Sequence, residues 1–257
     1  MPRKLSKRKQ PDRDIHLIHE VQKIENGVFD KKTLMILAKF FNHKIVSELM
    51  FVISTGKEAN AYLAKSGDSI QDEFVVLKIF RVQNSNFQNR IKYMQGDPRF
   101  GTLNKKMQSI VTLWCKKEFG NLKIAYELGV AVPRPIKAID NVLAMEFIYT
   151  SNGSPAPMLK DITLNNPTKV LDEIIKNIGL LYKGKMVHSD LSEYNILIKN
   201  VDEEEKAVFI DMGQAIVYGH PKFEEYLKRD VSVILAHFSK KYKIDNSLDQ
   251  VLEKIKL

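Results

Sequence analysis

The chain has 257 residues, 44% hydrophobic and 28% charged, which suits one large soluble domain or a small two-lobed one with a sizeable core. Its formal net charge is +9, with Arg3, Lys4, Lys7, Arg8 and Lys9 crowded at the front. That excess either biases the protein toward polyanions (nucleotide, RNA, anionic lipid) or marks a solvated tail. No apolar run approaches the roughly 18 residues of a membrane span, no secretory signal is expected after the basic start, and the lone Cys115 excludes an internal disulfide and fits a reducing, cytoplasmic interior.

Residues 1–13 lack periodic hydrophobics and read as disordered. Over 14–48 the apolar spacing predicts helix, with Ile15, Ile18, Val21 and Ile24 as one stripe and Leu34, Ile36, Leu37 and Phe40 as a second. A strand is expected from Glu48 to Ile53, turn residues at Ser54, Thr55 and Gly56, a second strand over Ala61–Ala64, and a third, rich in β-branched and aromatic residues, over Glu73–Phe80. The polar stretch 83–108 reads as a long loop. A helix follows over 110–128, with Gly129 as its cap and Pro133 beyond it.

Residues 141–148 read as another strand, and the turn-rich run 150–157 as a connection between two lobes. Asn166 and Pro167 open a helix whose buried face carries Val170, Leu171, Ile174, Ile175, Ile178 and Leu181, and Gly184 ends it. Two short strands are expected over 195–198 and 207–210, then helix to the end. The order is that of an α+β chain in two lobes. Residues 1–47 form a basic tail and helical extension, 48–148 a β-rich first lobe, and 149–257 a mainly helical second lobe.

Four elements carry chemistry. Asp190 and Asn195 stand five positions apart in the run that starts at His188, matching the protein-kinase pattern H-R-D-x-x-x-x-N. The Asp accepts or orients the proton of an attacking hydroxyl, and the Asn offers a neutral oxygen to a metal ion. Downstream, Asp211 leaves an apolar strand with Gly213 two positions on, the counterpart of D-F-G, and would hold Mg²⁺ against phosphates. Lys78 lies within a strand that reads as buried. An ammonium there needs anions: phosphates on one side and an acidic partner on the next helix, for which Glu118 is the candidate because Leu122 and Ala125 share its face.

Between the first two strands, Ser54, Thr55, Gly56, Lys57, Glu58 and Ala59 form a polar loop suited to covering phosphates. It is neither a Walker A motif nor the usual kinase G-x-G-x-x-G. Trp114 reads as core, and the pair His16 and His19 is too few ligands for a metal site.

The loop Ser54–Ala59, Lys78, the run Met145–Ile148, Pro155–Pro157, His188–Asn195 and the pair Ile210 and Asp211 resemble the RIO family of atypical protein kinases, in its Rio-one branch, from about residue 48 onward. The resemblance implies a two-lobed protein-kinase-like fold whose C-lobe lacks a full activation segment and peptide-docking helices; only 19 positions separate Asp211 from Asp230. It implies ATP with Mg²⁺ (Mn²⁺ as the alternative), serine/threonine phosphorylation with the protein itself among its substrates, and a part in small ribosomal subunit maturation on a precursor particle and its rRNA, away from membranes.

It also implies that Glu146 and Ile148 present backbone groups to adenine, that Met145 backs the pocket and Pro157 packs near the base, and that Asp230 anchors the catalytic loop. Two further readings stay open beside the kinase: an ATPase switch that passes through a phosphoaspartate at Asp211, and a nucleotide-sensing RNA- or ribosome-binding protein.

Overall fold

In the computed structural model the described residues are 29–82, 107–201 and 204–257, with the single positions 91, 93, 94, 97 and 99. Expectations for residues 1–28, and most of those for 83–106, lie outside them. Three of the single positions, Ile91, Tyr93 and Met94, are helical, and Tyr93 and Met94 are buried, where a polar loop is expected.

Helix α1 (Lys31–Asn42) starts at Asp30, whose side chain accepts from the Thr33 N–H at 2.7 Å. It stops well before residue 48, because Lys44 takes a left-handed φ of 54° and the β-branched pair Ile45 and Val46 leads into a strand. This corner is tight: a Cβ on Gly67 would stand 2.3 Å from the Lys44 carbonyl oxygen, so glycine alone lets the next hairpin close over it. Strand β1 (Val46–Thr55) thus begins earlier and ends later than expected, and Ser54 and Thr55 are strand residues paired with Ala61 and Asn60 rather than turn residues.

Strands β2 (Ala59–Ser66), β3 (Phe74–Phe80), β4 (Pro135–Ile139) and β5 (Val142–Glu146) complete an antiparallel sheet of order β1-β2-β3-β5-β4. Strand β4 has no counterpart in the sequence reading. Pro133 and Pro135 argue against a strand, yet β4 lies at the sheet edge, where a missing N–H is tolerated.

The period-2 alternation of β3 sorts its side chains. Val75, Leu77 and Ile79 join Leu34, Ile36, Leu37 and Phe40 of α1 in one apolar cluster. Val76, Lys78 and Phe80 point to the opposite face, which lines a cleft. Helix α1 is therefore packed on the sheet as one wall of the first lobe's core.

Helix α2 (Met107–Glu127) lies between the lobes and closes with a Schellman turn: Gly129, at φ 75°, donates to Tyr126 and Val130 donates to Ala125, each at 3.0 Å. The second lobe holds α3 (Pro167–Lys183), capped by Asn166, then the hairpin β7 (Ile196–Val201) and β8 (Glu204–Phe209), and α4 (Phe223–Tyr242) and α5 (Leu248–Lys256). A pair too short to read from sequence, β6 (Met186–Val187) and β9 (Ile216–Val217), brackets the hairpin. One large core cluster joins α2 to the second lobe through Trp114, Leu122 and Ala125. No described helix is long and apolar enough to cross a membrane.

Candidate active site

A cleft of about 680 Å³ opens between the sheet and the β7–β8 hairpin. Its roof is Ser54, Gly56, Lys57, Glu58 and Ala59. Its back and connecting wall are Met145, Glu146, Ile148 and Pro157, and its floor carries Asn195 and Asp211. Lys78 reaches in from β3. Of the residues expected here, Thr55 ends β1 outside the lining, while Glu118 and Asp190 stand behind residues that do line it.

The roof is a tight turn: Gly56 donates to the Ala59 carbonyl at 2.9 Å, and a Cβ on Gly56 would meet that oxygen at 3.0 Å. In the connecting wall the Ile148 carbonyl accepts from Ala156 at 3.0 Å. The Glu146 carboxylate is turned back to accept from the Arg134 N–H at 3.0 Å, so it shapes the strand end.

Lys78 Nζ lies 2.7 and 3.0 Å from the two oxygens of Glu118 and 3.1 Å from Asp211. Glu118 is 1% exposed on α2. Burial works against the ammonium, but the carboxylates of Asp211 and Glu118 outweigh it and hold Lys78 above its ordinary range.

The loop that carries Asp190 is built from backbone outward. Asp230, buried on α4, accepts from the Ser189 N–H at 2.7 Å and the Leu191 N–H at 3.2 Å, and the Arg229 guanidinium donates to the Ser189 carbonyl. Ser189 sits at φ 66°, a left-handed conformation unfavourable for a non-glycine residue, held by those three contacts. Asp190 between them receives the Gln214 amide on Oδ2 at 2.7 Å. Asn195 Nδ2 donates to the Asp190 carbonyl at 2.8 Å, which turns its Oδ1 to the other side. Burial raises the Asp230 carboxyl to about 7 despite the two backbone donors and Arg229 beside it.

His188 is buried, with Nε2 3.0 Å from the Ile210 carbonyl and its ring edge-on to Phe209. Burial lowers it to about 4, so it is a neutral brace between the Asp190 loop and the strand before Asp211. A histidine whose folded value lies below the ordinary 6.5 contributes stability above that value and loses it as pH falls toward 4. At about 1.4 kcal/mol per pH unit, the wild type is expected to lose about 2 kcal/mol by pH 5 relative to a His188→Gln chain. Gln keeps a donor without titrating. Urea unfolding of both chains at pH 7 and pH 5 measures the difference, and parallel losses would contradict it.

Asp211 adopts a left-handed φ of 61°, with its side chain 44% exposed toward the cleft. The turn after it, Met212–Gln214, is held from beneath by α2. Lys117 Nζ donates to the carbonyls of Gly213 and Ala215 at 2.8 and 2.5 Å, and Asn121 Nδ2 to those of Met212 and Ala215 at 2.7 and 3.2 Å. Lys117, 2% exposed, is brought down to about 7 by burial and by the charge of Arg99. Lys117 is absent from the residues singled out in the sequence. The available signal was its spacing of four from Asn121, on the face that also carries Trp114.

Gly213 packs under that tryptophan, and a Cβ there would lie 2.9–3.0 Å from the indole. Gly213→Ala is expected to destabilise the chain by roughly 1–3 kcal/mol. The same change should cost less in a Trp114→Phe background, as urea unfolding would report. Equal stability of Gly213→Ala and wild type would refute the crowding.

The fold, with its cleft furnished between two unequal lobes, is that of an atypical protein kinase. Residues 60–251 match the RIO domain family. A RIO-type serine/threonine-protein kinase Rio1 from Haloferax volcanii is 36% identical over 231 residues, 90% of this chain and 77% of the relative. One from Methanocaldococcus jannaschii is 37% identical over 220 residues, 85% and 72% of the two chains. A crystal structure of the Rio2 kinase–ADP/Mg²⁺–phosphoaspartate complex from Chaetomium thermophilum superposes with a TM-score of 0.68 at 22% identity, over 86% of this chain and 65% of that one, and supports the fold. The chain belongs to the RIO kinase family, in its Rio1 branch.

Proposed function

We propose that this chain transfers the γ-phosphoryl group of ATP to serine or threonine hydroxyls, its own among them, with Mg²⁺ (or Mn²⁺) as the metal, and that it works in the cytoplasm on a small ribosomal subunit precursor. One observation carries the chemistry: the Lys78 ammonium is clamped between Glu118 at 2.7 Å and Asp211 at 3.1 Å, at a cleft floored by Asn195 and Asp211, with Asp190 behind Asn195. The division of the chain near residue 148 belongs to the same reading, and the extension before residue 48 is read with the first lobe, on which α1 packs. The formal charge of +9 supports a polyanionic partner such as the rRNA of that precursor.

The donor set suits a hard divalent ion. Asp211 offers an exposed carboxylate, and Asn195 an amide oxygen freed by the commitment of its Nδ2 to Asp190. Bound Mg²⁺ would neutralise charge on the phosphates. Lys78 would steady the α- and β-phosphates. The roof Ser54–Ala59 would cover them, and the Ile148 N–H and Glu146 backbone would meet adenine between Met145 and Pro157. Asp190 takes the proton of the attacking hydroxyl as its oxygen bonds to the γ-phosphorus and the bond to the β–γ bridging oxygen breaks, releasing ADP.

A second reading has its own support. Only a three-residue turn and a two-residue strand separate Asp211 from the approach to α4, leaving little platform for a peptide. An acceptor close at hand, Asp211 itself, would make the chain an ATPase with an acyl-phosphate stage. Incubation with γ-labelled ATP and Mg²⁺, with and without excess chelator, tests both. Chelator-sensitive label in an acid-stable ester supports the kinase, and hydroxylamine-labile label with free phosphate supports the ATPase. Binding of ADP with neither product would refute phosphoryl transfer and leave a nucleotide-sensing RNA binder.

A further inference from the structure

Gln214 lies outside every motif that marks the site, yet its side chain touches the residue at the centre of the chemistry. Its Nε2 donates to Asp190 Oδ2 at 2.7 Å, shorter than the 3.4 Å contact that Asn195 Nδ2 makes with the same oxygen. A carboxylate only accepts hydrogen bonds, so the NH₂ end of the amide has to face it.

Gln214 closes the short 3₁₀ turn that follows Asp211. That turn has little freedom. Lys117 and Asn121 bind its carbonyls, and the Trp114 indole lies against Gly213. The amide is therefore presented from a rigid base.

We propose that Gln214 is a positioning residue for phosphoryl transfer: it sets the rotation of the Asp190 carboxylate, and so ties the residue that receives the proton to the turn that carries Asp211. The inference rests on the phosphotransfer reading above. Its physical basis is orientation. A carboxylate attached through single bonds rotates, and one strong donor on one oxygen fixes which edge meets the incoming hydroxyl or water. Loss of such alignment costs on the order of 10- to 100-fold in rate without a loss of ground-state binding.

The test is a double-mutant cycle in Mg²⁺-dependent turnover of ATP, with ADP affinity measured on each chain. Gln214→Met keeps length and packing and removes the donor; Gln214→Ala removes both and checks that size is not the cause. Both are expected to lower kcat about 10- to 100-fold, with KM for ATP and ADP affinity within about twofold of wild type. In an Asp190→Ala background, Gln214→Met should cause no further loss. A rise in KM matching the fall in kcat, a full additional loss in the Asp190→Ala background, or turnover that is unchanged or faster in Gln214→Met would each overturn the proposal. If Asp190→Ala alone leaves turnover intact, Asp190 is not the proton acceptor and the reading on which this inference rests fails, a result distinct from any of the three.

Discussion

Asp190→Ala is expected to lower turnover by roughly 10²- to 10⁴-fold while ADP affinity stays within about twofold. The separation follows from how the loop is held. The N–H groups on either side of Asp190 are bound by Asp230, and the Ser189 carbonyl by Arg229, so the backbone keeps its shape without the Asp190 side chain. The roof, Lys78 and the connecting wall, which would bind nucleotide, line the cleft, whereas Asp190 does not. Single-turnover hydrolysis or labelling gives the rate, and fluorescence titration with ADP gives the affinity. Undiminished turnover would remove Asp190 from the chemistry; joint loss of rate and affinity would make it a structural residue.

Lys78→Met separates stability from activity in a different way. Removing the ammonium strips a carboxylate that is 1% exposed of its cation, a change that costs about 3–5 kcal/mol in buried pairs. Adding Glu118→Leu takes the stranded charge away. The double variant is therefore expected to regain most of the lost stability, because a well-packed apolar pair is often as stable as the ion pair it replaces. Activity should not return: both chains would lack the cation proposed to meet phosphate, with turnover down on the order of 10²-fold or more. Urea unfolding and ATP turnover on the two chains decide it. A double variant as unstable as Lys78→Met would show that Glu118 does not carry the penalty.

Much of the site could be read because its parts are local. The spacing of Asp190 to Asn195 and the exit of Asp211 from an apolar strand lie within single loops, and the alternation around Lys78 lies within a single strand. Glu118 needed only the 3.6-residue period of α2 to be matched to Lys78 across 40 positions, and the two are 2.7 Å apart.

What escaped the sequence depends on distant neighbours. Lys117 looks like any helix-surface lysine until the carbonyls of Gly213 and Ala215 arrive from nearly a hundred residues away. Gln214 has no pattern of its own. Strand β4 was hidden by prolines that only an edge position permits. Helix α1 read as an appendage because nothing in a linear pattern says that its stripe faces Val75 and Leu77.

In protein kinases generally, the lysine–glutamate pair must be in place for activity, and repositioning of the helix that bears the glutamate is a means of control. Here that helix is fastened on two sides, by Glu118 to the sheet and by Lys117 and Asn121 to the turn beyond Asp211. Swinging it outward would strand a carboxylate and break four buried hydrogen bonds to main-chain carbonyls. Repositioning this helix would therefore cost more here than in a kinase whose glutamate helix is tied to the sheet alone.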